Sequence, residues 1–176
     1  MNIYLMGYMG CGKTRTGREL AAHSGRGFLD LDTLFEETYH TRIPDFFRQY
    51  GEAAFREKES ALLKKTAKRK RCIIALGGGT PCFNGNMDWL KSHGFSVYLQ
   101  LGVESLAQRL QKQEKQKRPL LSGLSADEVR NHILNHLKER ENYYLQADCI
   151  WPGENVSVPE LWQCLALHIA AREKTE

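Results

Sequence analysis

The sequence of 176 residues has no CxxC pair, and its five cysteines, Cys11, Cys72, Cys82, Cys149 and Cys164, are scattered and odd in number. That pattern excludes a disulfide framework and a zinc site of the paired-cysteine kind. No apolar run approaches the ~18 residues needed to span a bilayer. The opening stretch, Met1 to Gly10, lacks a basic n-region and does not read as a signal peptide. Neither sign of charge dominates, with 25 Lys+Arg against 21 Asp+Glu. The net charge of +4 suits a small acidic ligand and falls short of the clustered excess of a nucleic-acid binder. No low-complexity linker and no internal repeat divides the chain, so residues 1–176 are expected to form a single domain with its own core. A reduced, cytoplasmic setting is the expectation.

Short apolar runs alternate with longer amphipathic segments. Asn2–Met6, Phe28–Leu31, Cys72–Leu76, Ser96–Leu101 and Cys149–Trp151 read as strands. Helices are expected over Thr14–Ser24, Pro44–Tyr50, Glu52–Lys65 and Glu104–Gln113, with a break at Gly51. Ser125-Ala-Asp-Glu128 is a capping box opening a helix to about Tyr143, and Ser157-Val-Pro-Glu160 is a second one. Leu161, Cys164, Leu165, His168 and Ile169 then recur at helical spacing, which makes His168 a packed face residue rather than a ligand. Strands alternating with helices imply an α/β fold with a mostly parallel sheet covered on both faces. Ligands of such sheets sit beyond the carboxyl ends of the strands.

One of those ends carries a strong motif. Gly7-Tyr-Met-Gly-Cys-Gly12-Lys13-Thr14 fits GxxxxGK[ST], directly after a strand and directly before a helix. Glycines let backbone N–H groups close on phosphate oxygens, and the helix start adds unpaired donors and a positive dipole end. Lys13 can reach the β- and γ-phosphates, and Thr14 can place its hydroxyl on Mg²⁺. Gly17 is expected to let the following helix pack closely on the sheet.

Three further features lie where an acceptor would bind. Asp30-Leu-Asp32 follows the second strand, and extended alternation would put both carboxylates on one side. The alternative is that Asp32 caps a helix over Thr33–Tyr39. Gly77-Gly78-Gly79 ends the most apolar strand and allows close approach of a ligand or of backbone. Arg56, Arg118 and Arg140 stand near element ends, and Arg is the side chain that grips carboxylate or phosphate with two parallel bonds.

Taken in order, these motifs resemble the shikimate kinase family from Met6 to about Ile150. The series runs GYMGCGKT, Gly17-Arg18, Phe28-Leu-Asp-Leu-Asp32, Gly51-Glu52, Phe55-Arg56, Glu59, Leu76-Gly-Gly-Gly79, Arg118-Pro-Leu-Leu121, and Arg140 with Tyr143-Tyr144. The resemblance implies a three-layer P-loop kinase fold: a five-stranded parallel sheet, helices on both faces and a mobile lid over about 108–124. It implies transfer of phosphate from ATP to the 3-hydroxyl of shikimate, on the route through chorismate to aromatic amino acids. Its implied catalytic residues are Asp32, Lys13 and Arg118. ATP would meet Gly10, Cys11, Gly12, Lys13, Thr14, Arg15 and Arg118. Shikimate would meet Asp32, Arg56, Gly78, Gly79 and Arg140, with Glu59 behind Arg56. Thr14 and Asp30 would hold Mg²⁺. The family also suggests a monomer, without nucleic-acid or membrane partners.

Other P-loop kinases, for gluconate or nucleoside monophosphates, share the phosphate loop but not the need for Arg56, Arg140 and Asp32 around a carboxylated ring. A nucleotide-gated module is a different class, and no NKxD motif supports it. Three positions depart from the family pattern. Arg15 stands where Ser or Thr is usual, either touching the nucleotide or turning outward. Ala75 stands where Ser is often seen. Trp151-Pro-Gly-Glu-Asn155 lacks an adenine-side Arg, which leaves Arg109 as a candidate to stack there. Cys11 is either a reactive thiol or a small loop filler.

Overall fold

A computed structural model describes residues 1–117 and 125–173. Five strands, β1 (Ile3–Met6), β2 (Gly27–Asp30), β3 (Cys72–Ala75), β4 (Phe95–Gln100) and β5 (Cys149–Pro152), form one sheet in the order β2-β3-β1-β4-β5. All four pairings are parallel. β1 and β3 are buried along their whole length, as strands covered on both faces must be, and their residues are correspondingly apolar.

Seven α-helices are described, α1 (Lys13–Ser24), α2 (Leu31–Tyr39), α3 (Ile43–Lys65), α4 (Asn86–His93), α5 (Val103–Lys117), α6 (Ala126–Tyr144) and α7 (Val158–Glu173), with short 3-10 helices at Thr66–Lys68 and Thr80–Cys82. α1 packs on α7 and α5 on α6. Gly51, at φ 78° and ψ 173°, interrupts α3 where the sequence placed a break. Ser125 and Glu128 form the reciprocal bonds of the expected capping box. None of the helices is long and apolar enough to cross a membrane among the described residues.

The buried apolar side chains of the described residues form one cluster around the central strands. Asn2 ties its lower edge together. Its Nδ2 donates to the Thr66 and Arg69 carbonyls at 3.1 and 2.9 Å, and its Oδ1 accepts from the Cys72 N–H at 3.0 Å. The Phe95 N–H donates to the Asn2 carbonyl at 2.9 Å. β1 is thereby fixed between the starts of β3 and β4.

Four expectations change. The strand expected over Phe28–Leu31 stops at Asp30, because Leu31 already opens α2. α4 was not expected; it buries Asn86, Met87 and Leu90 behind the left-handed Gly85. α5 continues to Lys117, so the expected lid starts inside a helix; residues 118–124, with Arg118, lie outside the described residues. His168 is exposed at the edge of its packed face, its ring centroid 6.0 Å from that of buried Phe95 and its Nδ1 2.8 Å from the Cys164 carbonyl oxygen.

Candidate active site

The loop from Gly7 to Gly12 joins β1 to α1. Gly10 and Gly12 sit at φ 82° and 102°, a left-handed backbone that a side chain would strain, and Gly12 caps α1. Lys13 bends back over the loop. Its Nζ donates to the Gly7 carbonyl at 2.8 Å and the Tyr8 carbonyl at 3.1 Å. An ammonium over the mouth of an anion-binding loop is placed to meet phosphate. Cys11 is buried, with its Sγ 3.8 Å from Lys13 Nζ.

The two aspartates have different jobs from those alternation implies. Asp30, not Asp32, caps α2: its Oδ1 accepts from the Asp32 and Thr33 N–H groups at 3.0 and 3.4 Å. Its other oxygen, Oδ2, accepts from the Thr14 hydroxyl at 2.6 Å. A hydroxyl and a carboxylate oxygen side by side at the phosphate loop are hard donors suited to Mg²⁺, which takes one or two protein oxygens and completes its shell with phosphate and water. Asp32 lies on the first turn of α2. It keeps a face open to water, yet protein atoms crowd the rest of the carboxyl. That crowding, with Asp30 beside it, pushes its pKa up to about 6; Lys13 opposes the shift, and Glu59 and Glu36 add to it. Such a carboxyl is poised to exchange a proton near neutral pH.

The glycines after β3 form the floor between these groups. The Leu76 N–H donates to the Leu5 carbonyl at 3.0 Å, which sets Gly77–Gly79 beside the phosphate loop. A Cβ on Gly77 would lie 2.9 Å from Asp32 Oδ1, and one on Gly79 would lie 2.6 Å from Arg56 Nη2. A Cβ on Gly78 would be 3.8 Å from Arg140 Nη1 and 3.4 Å from the Met9 nitrogen. Asp32, Arg56, Arg140 and the loop therefore converge on three residues without side chains.

Arg56 is held on every side. Its Nε and Nη2 donate to Glu52 Oε1 at 3.1 Å, and its Nη1 donates to Glu59 Oε2 at 2.9 Å. The guanidinium also lies 4.4 Å from the Phe83 ring centroid and 5.0 Å from that of Phe55. Thr80 Oγ1 donates to Glu59 Oε1 at 2.6 Å, which satisfies the second oxygen of that buried carboxylate. Arg140, on α6, lies 5.9 Å from the Tyr8 ring centroid.

Arg15 points away from the loop and pairs with Glu19 at 2.9 Å. Arg109 does something composition does not foretell. Its Nη1 donates to the Cys11 carbonyl at 3.3 Å and its Nη2 to the Gly153 carbonyl at 3.3 Å, bridging the phosphate loop to the loop after β5. Thr80 had no signal in the sequence beyond following the glycines. Tyr144, whose hydroxyl donates to the Gly78 carbonyl, had one, since it stands four residues after Arg140 on a capped helix and so shares its face.

A phosphate loop at the end of a central parallel strand, beside a carboxylate and paired guanidinium groups, defines a P-loop kinase that phosphorylates a small anionic acceptor. The family model described as shikimate kinase matches residues 9–165. The chain belongs to the shikimate kinase family. It is 41% identical over 154 residues to a shikimate kinase of Parabacteroides distasonis, covering 88% of each chain. It is 37% identical to one from Bacteroides fragilis, over 97% of this chain and 99% of the relative. Among solved structures, the shikimate kinase of Bacteroides thetaiotaomicron matches with a TM-score of 0.89 and 35% identity, over 97% of this chain and 98% of that one. That of Acinetobacter baumannii, solved in complex with shikimate, matches with a TM-score of 0.81 and 34% identity, over 97% and 93%. The five-stranded parallel sheet is thus the P-loop kinase sheet of this family.

Proposed function

We propose that the chain carries out its family's reaction, ATP plus shikimate to ADP plus shikimate 3-phosphate, with the residues assembled around Gly77–Gly79. One observation carries this reading: Asp32, Arg56 and Arg140 converge on the glycines beside the phosphate loop. That is the arrangement a carboxylated, hydroxylated ring needs.

The N–H groups from Gly10 to Thr14 hold the phosphates, and Lys13 moves from the Gly7 and Tyr8 carbonyls onto them. Arg15 stays outside, and Cys11 contributes backbone only. Thr14 and Asp30 are the protein's donors for Mg²⁺, which when bound neutralises charge on the transferring phosphoryl. Arg56 and Arg140 take the shikimate carboxylate, while Gly78 and Gly79 let the ring approach. An Asp32 carboxylate oxygen accepts a hydrogen bond from the attacking hydroxyl and then its proton. Residues 108–124 act as the lid of a single domain, and Arg118 there meets the transferring phosphoryl; closure excludes water. The protein works as a cytoplasmic monomer on ATP and shikimate.

ADP release measured with shikimate, quinate, gluconate and AMP in parallel tests the reading. Stimulation by shikimate above the others is expected. A rate unchanged by shikimate overturns it.

A further inference from the structure

The chain from Thr80 to Asn86 leaves the glycine floor as a loop whose two ends meet: Asn86 Nδ2 donates to the Thr80 carbonyl at 2.8 Å. The base so closed is docked on two adjacent residues of α3. Thr80 Oγ1 donates to Glu59 Oε1 at 2.6 Å, and Ser60 Oγ donates to Asn86 Oδ1 at 2.7 Å. Glu59, Ser60, Thr80 and Asn86 thus make a closed ring of hydrogen bonds, and each is at most 4% exposed. The carboxamide fits one way round, because its nitrogen has to face the carbonyl and its oxygen takes the Ser60 proton. The loop that this ring closes bears on Arg56. Phe83 sets its ring centroid 4.4 Å from the guanidinium, and Asn84 Nδ2 donates to the Arg56 carbonyl at 3.0 Å. Just before the loop, Gly79 comes so near that a Cβ would stand 2.6 Å from Arg56 Nη2.

We propose that Asn86 is a positioning residue for the acceptor site: by stapling the Thr80–Asn86 loop to Glu59 and Ser60, it holds Gly79 and Phe83 against the Arg56 guanidinium and sets the angle at which that group meets the acceptor's carboxylate. The proposal rests on the reading of Arg56 and Gly79 as acceptor contacts. Three consecutive glycines have the most backbone freedom to lose and no side chains to fix their own path. A guanidinium on a long stem has many rotamers. A buried ring of hydrogen bonds supplies the rigidity that both lack. A two-bond grip on a carboxylate depends on the angle of the fork, so the ring acts on acceptor binding through Arg56.

Asn86→Ala opens the ring at two bonds and Ser60→Ala at one. The expected result is a rise in KM for shikimate of about tenfold in the first and about threefold in the second, with KM for ATP within about twofold of the parent in both. With shikimate methyl ester as acceptor, which lacks the carboxylate charge, parent and variants should differ by less than about twofold. Equal rises in KM for ATP and shikimate, or a loss that persists with the ester, would overturn the proposal. Ser60→Ala leaves the loop's own sequence intact and decides alone if Asn86→Ala does not fold; an unchanged KM for shikimate in it overturns the proposal. A second measurement needs no catalysis. Ser60→Ala should speed hydrogen exchange at the Thr80 and Cys82 amides, which donate to the Gly77 and Gly79 carbonyls at 3.2 and 2.9 Å. Unchanged exchange there also overturns it. Failure of the parent to use shikimate would instead sink the functional reading and leave the exchange result standing.

Discussion

Glu59 stands one helical turn after Arg56 on α3 and shares a 2.9 Å ion pair with it, although the carboxylate is only 2% exposed and the guanidinium 11%. A charge that deep is tolerated because both carboxylate oxygens are occupied, one by Arg56 and one by Thr80. Removing it leaves Arg56 with Glu52 alone and Thr80 without an acceptor. Glu59→Ala should cost about 3 kcal/mol of stability in urea unfolding and raise KM for shikimate. Glu59→Gln keeps an acceptor for Thr80 and should lose less. Equal stability of the Ala variant and the parent would refute the network.

Asp32 links the electrostatics to pH. Its proton must be absent for it to accept one, so kcat/KM for shikimate should fall as pH drops below about 6. Asp32→Asn should lower turnover by at least about a hundredfold with ATP binding retained. Stability moves the other way. Because the folded value lies above the ordinary 3.8, the native state binds the proton more tightly, and ionisation subtracts stability as pH rises from about 4 to about 6. The Asn variant escapes this loss, so calorimetry should find it at least as heat-stable as the parent at pH 7. A variant that melts lower than the parent at pH 7 would mean the lost turnover reflects unfolding.

Gly17 is placed by contact, not by backbone strain. A Cβ there would lie 2.6 Å from Phe28 Cε2 and 3.2 Å from Leu5 Cδ1. Gly17→Ala should therefore lower stability by about 1–3 kcal/mol through overpacking between α1 and the sheet. Urea midpoints measure it, and an unchanged midpoint would show that Phe28 yields freely.

Arg15 has 85% of its side chain exposed and pairs with Glu19 one turn away. Such a pair contributes little. Arg15→Ser should leave KM for ATP within about twofold; a larger rise would place the guanidinium on the nucleotide after all.

Cys11 is buried to 1% exposure, which fits a loop filler better than a reactive thiol. Iodoacetamide should label it far more slowly in the folded chain than in urea, as peptide mass spectrometry would report. Rapid labelling of the folded chain, slowed by ATP, would restore the reactive reading.

The elements that periodicity and motif define most sharply, β1 with its phosphate loop and β3 with its glycines, were legible from residue order alone. The helix cap was not. Asp30 and Asp32 are chemically identical, and only the point where the chain turns from extended to helical decides which one caps. α4 escaped notice because its eight residues bury only three side chains, too few for a clear helical period. Arg109 and Thr80 reach partners 98 and 21 residues away, respectively, and no local pattern encodes such distances. The positions of Arg56 and Arg140 on one floor likewise come from the sheet order, not from either segment.

That order also has a consequence for how the chain is made. β1 is made before the other four strands of the sheet, yet its two neighbours are β3 and β4. Asn2 must wait for residues 66 to 95 before any of its bonds can close. Until β3 has been made the phosphate loop hangs from a strand with two open edges, and until β4 follows one edge stays open. Non-local closure of this kind slows folding and exposes apolar edges to other chains. The central strand that anchors the finished site is thus the one whose pairing must wait for two later parts of the chain.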